Sequence, residues 1–445
     1  MPATPFPYRA LAGLGAALAP LAGLADAKFR EGHRGRLGAP ARLRLWGEQQ
    51  RDRGRPLVWF HASSVGEGLQ AESVLRELRA LVPGAQYAYT HFSPSALALA
   101  RRVPADVADY LPYDRPAAVQ DTLDALAPDL LVFAKLDLWP ELATRAAASG
   151  AAVAIVAATV SPGSGRLRWP ARQLLEAGYR SVTAAGAISA DDATRLARLG
   201  VPAERIRVLG DPRFDSVAAR VRAVAPDDPL LRFGRGAPTL VAGSTWPRDE
   251  EVLLGAFARL RAGRPDARLI LVPHEPTPEH LAAVEGAAAR ARLPAPVRLA
   301  AAEGPAPLLL VDRVGVLATL YGAGTTAYVG GGFGRAGLHS VLEPAAWGVP
   351  VAFGPNWRES RDARLLLEAG AAEALRPGPD PAAELLRCWT RWIRDEFGRE
   401  NQGRRARELV AGGLGAARRS AEMLAGLSGL LHRRTSPSEG SPARE

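Results

Sequence analysis

Cysteine occurs once in the 445 residues, at Cys388. That excludes an intramolecular disulfide and a cysteine-built metal cluster, and it fits a reducing compartment. Lysine is almost as scarce: only Lys28 and Lys135 stand among 56 basic residues, so the rest are arginine, a ratio that reads as a base-composition bias. No G-x-x-x-x-G-K-[ST] phosphate loop and no D-x-D pair occurs, and none of the seven histidines stands at ligand spacing with a carboxylate set. ATP hydrolysis and a bound metal therefore have no support. The arginines are scattered, without a helix-turn-helix, zinc-finger or RNA-recognition pattern, which speaks against nucleic acid. The N-terminal apolar run is short for a bilayer span. Residues 10–25 are 16 uncharged, mostly small residues broken by Pro20, and a span needs roughly 20 apolar residues.

The net charge of +10 and pI of about 10.3 leave a basic excess that needs a use. An anionic substrate or an anionic membrane surface would supply one. The basic residues Lys28, Arg30, Arg34, Arg36, Arg42 and Arg44 follow the N-terminal apolar run rather than precede it, the reverse of a signal peptide. Residues 1–28 are thus expected to be a membrane-association segment, a weak surface anchor or a short span with its basic flank in the cytoplasm. An ordinary apolar helix is the plainer alternative. Residues 431–445 carry little to bury and are expected to be a disordered tail.

The length calls for two domains. From Leu57 onward short apolar strands alternate with helical stretches, with strand candidates at 57–61, 86–90, 130–134, 152–157 and 184–188. After the Pro226–Pro229 stretch the rhythm restarts, with candidates at 239–243, 268–272, 308–311, 326–330 and 350–353. Strand–helix alternation implies parallel sheets covered on both faces. The expected fold is α/β, two tandem Rossmann-like doubly wound domains facing across a cleft, at 29–217 and 237–430 with a linker at 218–236. In such sheets ligands sit beyond the carboxyl ends of the strands.

Several motifs fall at such ends. "WFHASSVGEG" (59–68) runs from a strand into a turn that ends on Glu67 as a helix begins. Ser64-x-x-Glu67 is a capping-box pattern, so Glu67 has a structural reading. It has a chemical one too, because a carboxylate at a helix N-terminus is held ionised and ready to accept a proton. "VFAKLDLWPEL" (132–142) ends a strand with Lys135 and Asp137 beside Trp139. "GGGFGRAG" (330–337) contains G-x-G-x-x-G, but it follows the fourth strand of its domain rather than the first, so no dinucleotide cofactor is inferred. Its backbone N–H groups are expected to make an anion site, with Gly331 and Gly332 within it. "SVLEP" (340–344) repeats the ambiguity: Glu343 either boxes with Ser340 or, if the helix starts later and Pro344 sits in its first turn, is left for a ribose diol. "LVPHEP" (271–276) puts His274 directly after a strand, as a possible donor to phosphate.

The order of these pieces resembles the 3-deoxy-D-manno-octulosonic acid (Kdo) transferases, glycosyltransferases of the GT-B arrangement that move Kdo from CMP-Kdo to the lipid A precursor. The resemblance covers residues 29–425 and rests most on "ISADDATRLARLGV" and "LEPAAWGVPVAFGP". It implies that Glu67 is the general base of an inverting transfer, with Ser64, Lys135 and Asp137 as acceptor-side candidates. It puts the acceptor on the first domain and the CMP-sugar on the second. There it implies Ser244, Thr245, Pro273 and His274 along the nucleotide pocket, Val314, Gly315 and Val316 in a loop touching CMP, and Ser340, Val341, Leu342 and Glu343 at the phosphate and ribose. It further implies no cofactor beyond the CMP-Kdo substrate, and a place on the cytoplasmic face of the inner membrane. The chain departs from the family where "PRHP" reads "PHEP", "GGHN" reads "AGLHS", "ETELWP" reads "KLDLWP" and "NARLS" reads "AATVS". A UDP-sugar-dependent GT-B transferase or sugar-nucleotide epimerase is the enzymatic alternative, and a membrane-surface binding protein on a decayed scaffold the non-enzymatic one.

Overall fold

The computed structural model describes residues 3–427 except 335 and 336, so the tail expected at 431–445 lies outside the described residues. Fourteen strands among these residues form two sheets. The first contains β1 (Leu57–His61), β2 (Gln86–His91), β3 (Val107–Tyr110), β4 (Leu130–Ala134), β5 (Ala152–Ala158), β6 (Ala184–Ala187) and β7 (Ile206–Val208), in the order β3-β2-β1-β4-β5-β6-β7. The second contains β8 (Thr239–Thr245), β9 (Arg268–Pro273), β10 (Val297–Arg298), β11 (Leu308–Leu310), β12 (Thr326–Val329), β13 (Val351–Phe353) and β14 (Ala372–Ala374), in the order β10-β11-β9-β8-β12-β13-β14. Every pairing is parallel.

The central strands are buried on both faces, which is why they read as unbroken apolar runs. Alternate residues feed two separate cores. Trp59, Leu131, Phe133, Val153 and Ile155 point to one face of the first sheet, and Val58, Phe60, Val132 and Val156 to the other. The strand order reverses between β1 and β4 in the first sheet and between β8 and β12 in the second. A crevice opens outside the carboxyl ends at such switch points, and that is where ligands of doubly wound sheets bind.

The described residues divide into two compact units, those up to Ser216 together with Leu414–Leu427, and Val217–Gly413. This corrects three expected boundaries. The last described helix, Ala416–Ala425, belongs to the first unit rather than to a domain running to 430. Ala417, Ala421 and Leu424 pack with Ala71, Val74 and Leu78 of the helix Val65–Leu81. The Asp215 carboxylate accepts from the backbone N–H groups of Gly415 and Ala417 at 2.7 and 3.0 Å, a cap that fixes its start. Nor is 218–236 a free linker. It lies within the second unit, and its Phe233 is buried.

The N-terminal segment is not separate from the first unit either. The helix Phe6–Ala25 is pinned at its first turn: Tyr8 donates to Asp114 at 2.7 Å, Arg9 reaches Glu141 at 2.7 Å, and Thr4 meets Thr144 at 2.8 Å. The helix Ala27–Gln50 buries Leu43 and Trp46 in the sheet's core. Beyond its first turn, however, the Phe6–Ala25 helix leaves Leu11, Leu14, Leu18 and Leu21 about half exposed or more, at spacings of three and four that set them on one face. No described helix is long and apolar enough to cross a membrane.

Candidate active site

The switch point of the first sheet gathers the first set of expected residues. β1 runs into Ser63 and Ser64, and the helix Val65–Leu81 begins there. The capping box exists: Glu67 N–H donates to Ser64 Oγ at 3.4 Å, and Glu67 Oε2 accepts from Ser64 N–H at 3.3 Å. The other carboxylate oxygen lies 3.9 Å from Lys135 Nζ, and the side chain is about one-fifth exposed. Glu67 is therefore a cap with one oxygen left over, facing a cation at a ligand edge. Lys135 reaches it because the backbone at the end of β4 turns left-handed, with φ of 63°. Such a conformation costs a non-glycine residue of order 1 kcal/mol, and strain of that kind clusters at functional sites.

Behind this pair stands a buried network that the sequence reading missed. His61, the last residue of β1, is fully buried, with Nδ1 against Thr90 Oγ1 at 3.0 Å and Nε2 against Asp137 Oδ2 at 2.8 Å. Trp59 Nε1 also donates to Thr90, and Ser63 Oγ donates to Asp137. Burial alone would raise the Asp137 carboxyl, but hydrogen bonds from His61, Ser63 and Trp139 hold it below the usual carboxylate range. Asp137 is thus a fixed anion that orients the turn, with most of its bonding capacity taken up inside the protein. Arg36 was missed as well. Its basic neighbours suggest a membrane flank, yet it is buried, with its guanidinium 3.6 Å from the centroid of the Phe92 ring. Phe92 in turn stacks on Trp139 at 5.1 Å.

The second sheet's switch point gathers Ser244 and Thr245 at the end of β8, Gly331 and Gly332 after β12, and Pro273 and His274 at the end of β9. Ser244, like Lys135, is left-handed, with φ of 54°. His274 and Ser340 are exposed, whereas Thr245, Val341 and Leu342 are fully buried. The Thr245 hydroxyl donates to Glu250 at 2.9 Å, and Glu250 in turn pairs with His280 at 2.9 Å. Thr245 therefore serves the interior, and from Val341 and Leu342 only backbone is on offer to a ligand. Val314 is exposed and Gly315 left-handed, in the loop after β11 and not directly at the switch point.

The glycine-rich turn departs from its expected role as a nest of free amides. Gly330 N–H is bonded to Gly243 O, and Gly331 N–H donates to Asp249 Oδ2 at 2.9 Å. Asp249 also accepts from Trp246 N–H at 3.0 Å and from Tyr328 at 2.7 Å. It is buried, which raises its carboxyl above the usual range despite those three donors. Packing explains the glycines: a Cβ on Gly332 would come within 2.6 Å of the Gly354 backbone. For "SVLEP" the later helix start is the one observed. The helix is Leu342–Trp347, with no side-chain cap and Pro344 in its first turn. Glu343 is released from capping but paired, with Oε1 2.8 Å from Arg220 Nη1.

Comparison with known proteins agrees with this arrangement. A family described as 3-deoxy-D-manno-octulosonic-acid transferase (kdotransferase) matches residues 33–216. The 3-deoxy-D-manno-octulosonic acid transferase of Bordetella pertussis is 30% identical, over 89% of this chain and 93% of that one. The Haemophilus influenzae protein of the same name is 26% identical, over 82% and 86%. Among solved structures, the UDP-GlcNAc 2-epimerase of Neisseria meningitidis superposes with a TM-score of 0.61 over 83% of this chain and 99% of that one; at 13% identity this is a likeness of the GT-B fold alone. The chain belongs to the 3-deoxy-D-manno-octulosonic acid (Kdo) transferase family and is a glycosyltransferase.

Proposed function

We propose that the protein transfers Kdo from CMP-Kdo to the lipid A precursor in lipopolysaccharide biosynthesis, with inversion at the sugar and Glu67 as general base. The observation that carries this reading is the state of Glu67 at the switch point of the first sheet, with one oxygen capping a helix and the other open beside Lys135. The acceptor hydroxyl gives its proton to that open oxygen. Its own oxygen bonds to the anomeric carbon of Kdo, and the bond from that carbon to the phosphate oxygen breaks. CMP leaves with the electron pair as an anion, so no general acid is needed. The base later returns its proton to water. Lys135 keeps the carboxylate company and meets the negative charge of a phosphorylated acceptor.

On the second unit, Glu343 uses one oxygen for Arg220 and offers the other to the ribose diol of CMP. The exposed leucine stripe of the N-terminal helix supports docking on an anionic membrane surface, on the cytoplasmic side where CMP-sugars are available. The basic flank contributes less than its sequence suggests: Arg36 is buried, and Arg42 and Arg44 pair with Asp109 and Asp121, which leaves Lys28, Arg30 and Arg34 for lipid.

The test is incubation with CMP-Kdo and lipid A precursor, read by mass. An acceptor gaining Kdo, in a reaction competed by CMP and not by UDP, is expected. Turnover of a UDP-sugar with CMP-Kdo untouched would overturn the reading.

A further inference from the structure

With two of its glycine amides committed to other backbone and side-chain partners, the second switch point needs another donor for an anionic oxygen. Three rings stand there. Trp246 follows β8, His274 follows β9 and His339 follows β12. Trp246 and His274 stack at 4.9 Å between centroids, and the two imidazoles lie 4.4 Å apart. One contact orders the group: Trp246 Nε1–H donates to His339 Nε2 at 3.0 Å.

An indole nitrogen only donates, so the imidazole nitrogen facing it must hold a lone pair. His339 then carries its ring proton on Nδ1 and is neutral. A second proton on Nε2 would set N–H against N–H and break the contact. We propose that Trp246 is a positioning residue that locks His339 as a neutral Nδ1–H donor, and that this N–H is a contact for a phosphate oxygen of the donor nucleotide. The assignment rests on the CMP-sugar reading above and adds to it the residue that fixes the tautomer. The surroundings agree. His339 is only partly buried, so Nδ1 is not sealed in the interior. Burial and the facing His274 push its pKa down to about 4. Among the described residues the neighbouring carboxylates are turned elsewhere. Asp249, on the helix Pro247–Gly263, is turned to the Trp246 and Gly331 amides and to Tyr328, Glu250 to Thr245 and His280, and Glu343 to Arg220. A neutral, pre-oriented donor binds phosphate equally well across neutral pH, whereas a free imidazole adjusts both its tautomer and its charge.

The test uses the full chain labelled with ¹⁵N-histidine, with long-range ¹H–¹⁵N spectra from pH 5.5 to 8 and His339 assigned by its loss in His339→Phe. Expected in the parent is the Nδ1–H tautomer, unprotonated throughout. Trp246→Phe keeps the ring stack and the backbone N–H to Asp249 but deletes the indole donor. In this variant His339 should populate both tautomers and titrate within the range. At pH 8, CMP should bind three- to tenfold more weakly to Trp246→Phe and to His339→Phe, the span of one neutral hydrogen bond. The double variant should be no worse than His339→Phe alone. A parental His339 that is charged at pH 7 or protonated on Nε2 overturns the lock. CMP affinity unchanged in both single variants overturns the phosphate contact while leaving the nucleotide reading in place. A parent that does not bind CMP at all overturns that reading and the contact with it, and the tautomer spectrum still decides the lock.

Discussion

Glu67→Gln separates the observed capping by Glu67 from its proposed role as general base. Glutamine keeps an oxygen that can accept from Ser64 N–H, and Glu67 N–H still donates to Ser64 Oγ, so the capping box survives. What is lost is charge. The contact with Lys135 is 3.9 Å long, and the lysine side chain is 44% exposed. A pair of that kind is worth roughly 0.2–1 kcal/mol. Spread over a unit of this size, that lowers Tm by about 2–4 °C at most. Loss of a positioned base costs on the order of 10²–10⁴ in rate, or roughly 3–5 kcal/mol at the transition state. The two effects differ severalfold, so they can be told apart. Initial rates of Kdo transfer read by mass, CMP affinity and thermal melting together make the assay. Near-parental melting and CMP affinity with transfer down at least a hundredfold is expected. Glu67→Ala, which also removes the reciprocal cap, should melt lower by a further ~1 kcal/mol without being much slower than the glutamine variant. Transfer within threefold of the parent in Glu67→Gln would refute the catalytic role and return Glu67 to capping alone.

Other perturbations follow from the same geometry. Glu343→Ala should weaken CMP by roughly 1.5–3 kcal/mol, the worth of a hydrogen bond to a charged acceptor, in a titration of parent against variant; an unchanged constant would leave Glu343 as only a partner for Arg220. Burial raises the Asp114 carboxyl from 3.8 to about 6 despite donors from Tyr8, Glu141 and Leu142, so the folded chain holds this proton more tightly than the unfolded one. Its contribution is therefore present below pH 4 and lost as pH rises through 6. Relative to Asp114→Asn, the parent should lose up to about 3 kcal/mol between pH 4 and 7, measured by urea unfolding at both. Leu14→Gln, Leu18→Gln and Leu21→Gln together should abolish flotation with anionic vesicles while leaving transfer to a soluble short-chain acceptor intact; unchanged flotation would move the membrane contact elsewhere.

The strands that were legible are the interior ones, and the reason is burial. β1, β2, β4 and β5 present apolar residues to both faces, so each appears as a short unbroken run. The four that the periodicity misses are β3, β7, β10 and β14, and these are the four edges of the two sheets. An edge strand has one pairing neighbour and is open along its other side, so its side chains need not be apolar. Ile206–Val208 is largely exposed, and Val297–Arg298 is only two residues long. The last helix was not legible as part of the first unit. Its small apolar face fits a groove against Val74 and Leu78, and sequence order carries no information about which of two similar sheets supplies that groove.

At the candidate site, positions were easier to read than side-chain commitments. Glu67, Lys135 and His274 follow strands and Ser244 stands at the end of one, and strand ends are visible in the pattern. Which of their atoms are free is decided by residues far away in sequence, and these were not visible. Thr245 is engaged by Glu250, which His280 holds in turn, Gly331 by Asp249, Glu343 by Arg220 and Asp137 by His61. The N-terminal segment shows the same effect on a larger scale. Read as a sequence, it is an apolar run with a basic flank, set apart from the first domain. Folded, Tyr8 and Arg9 satisfy the buried Asp114 and Glu141, and Arg36 lies over Phe92 beside Trp139 and the Asp137 turn. Removing it would strip partners from buried carboxylates, which costs more than the surface it exposes. Under the function proposed above, this segment would meet the membrane through its leucines while Arg36 supports the turn that carries Asp137. That is why surface substitutions at Leu14, Leu18 and Leu21, and not truncation, are the perturbation that separates them.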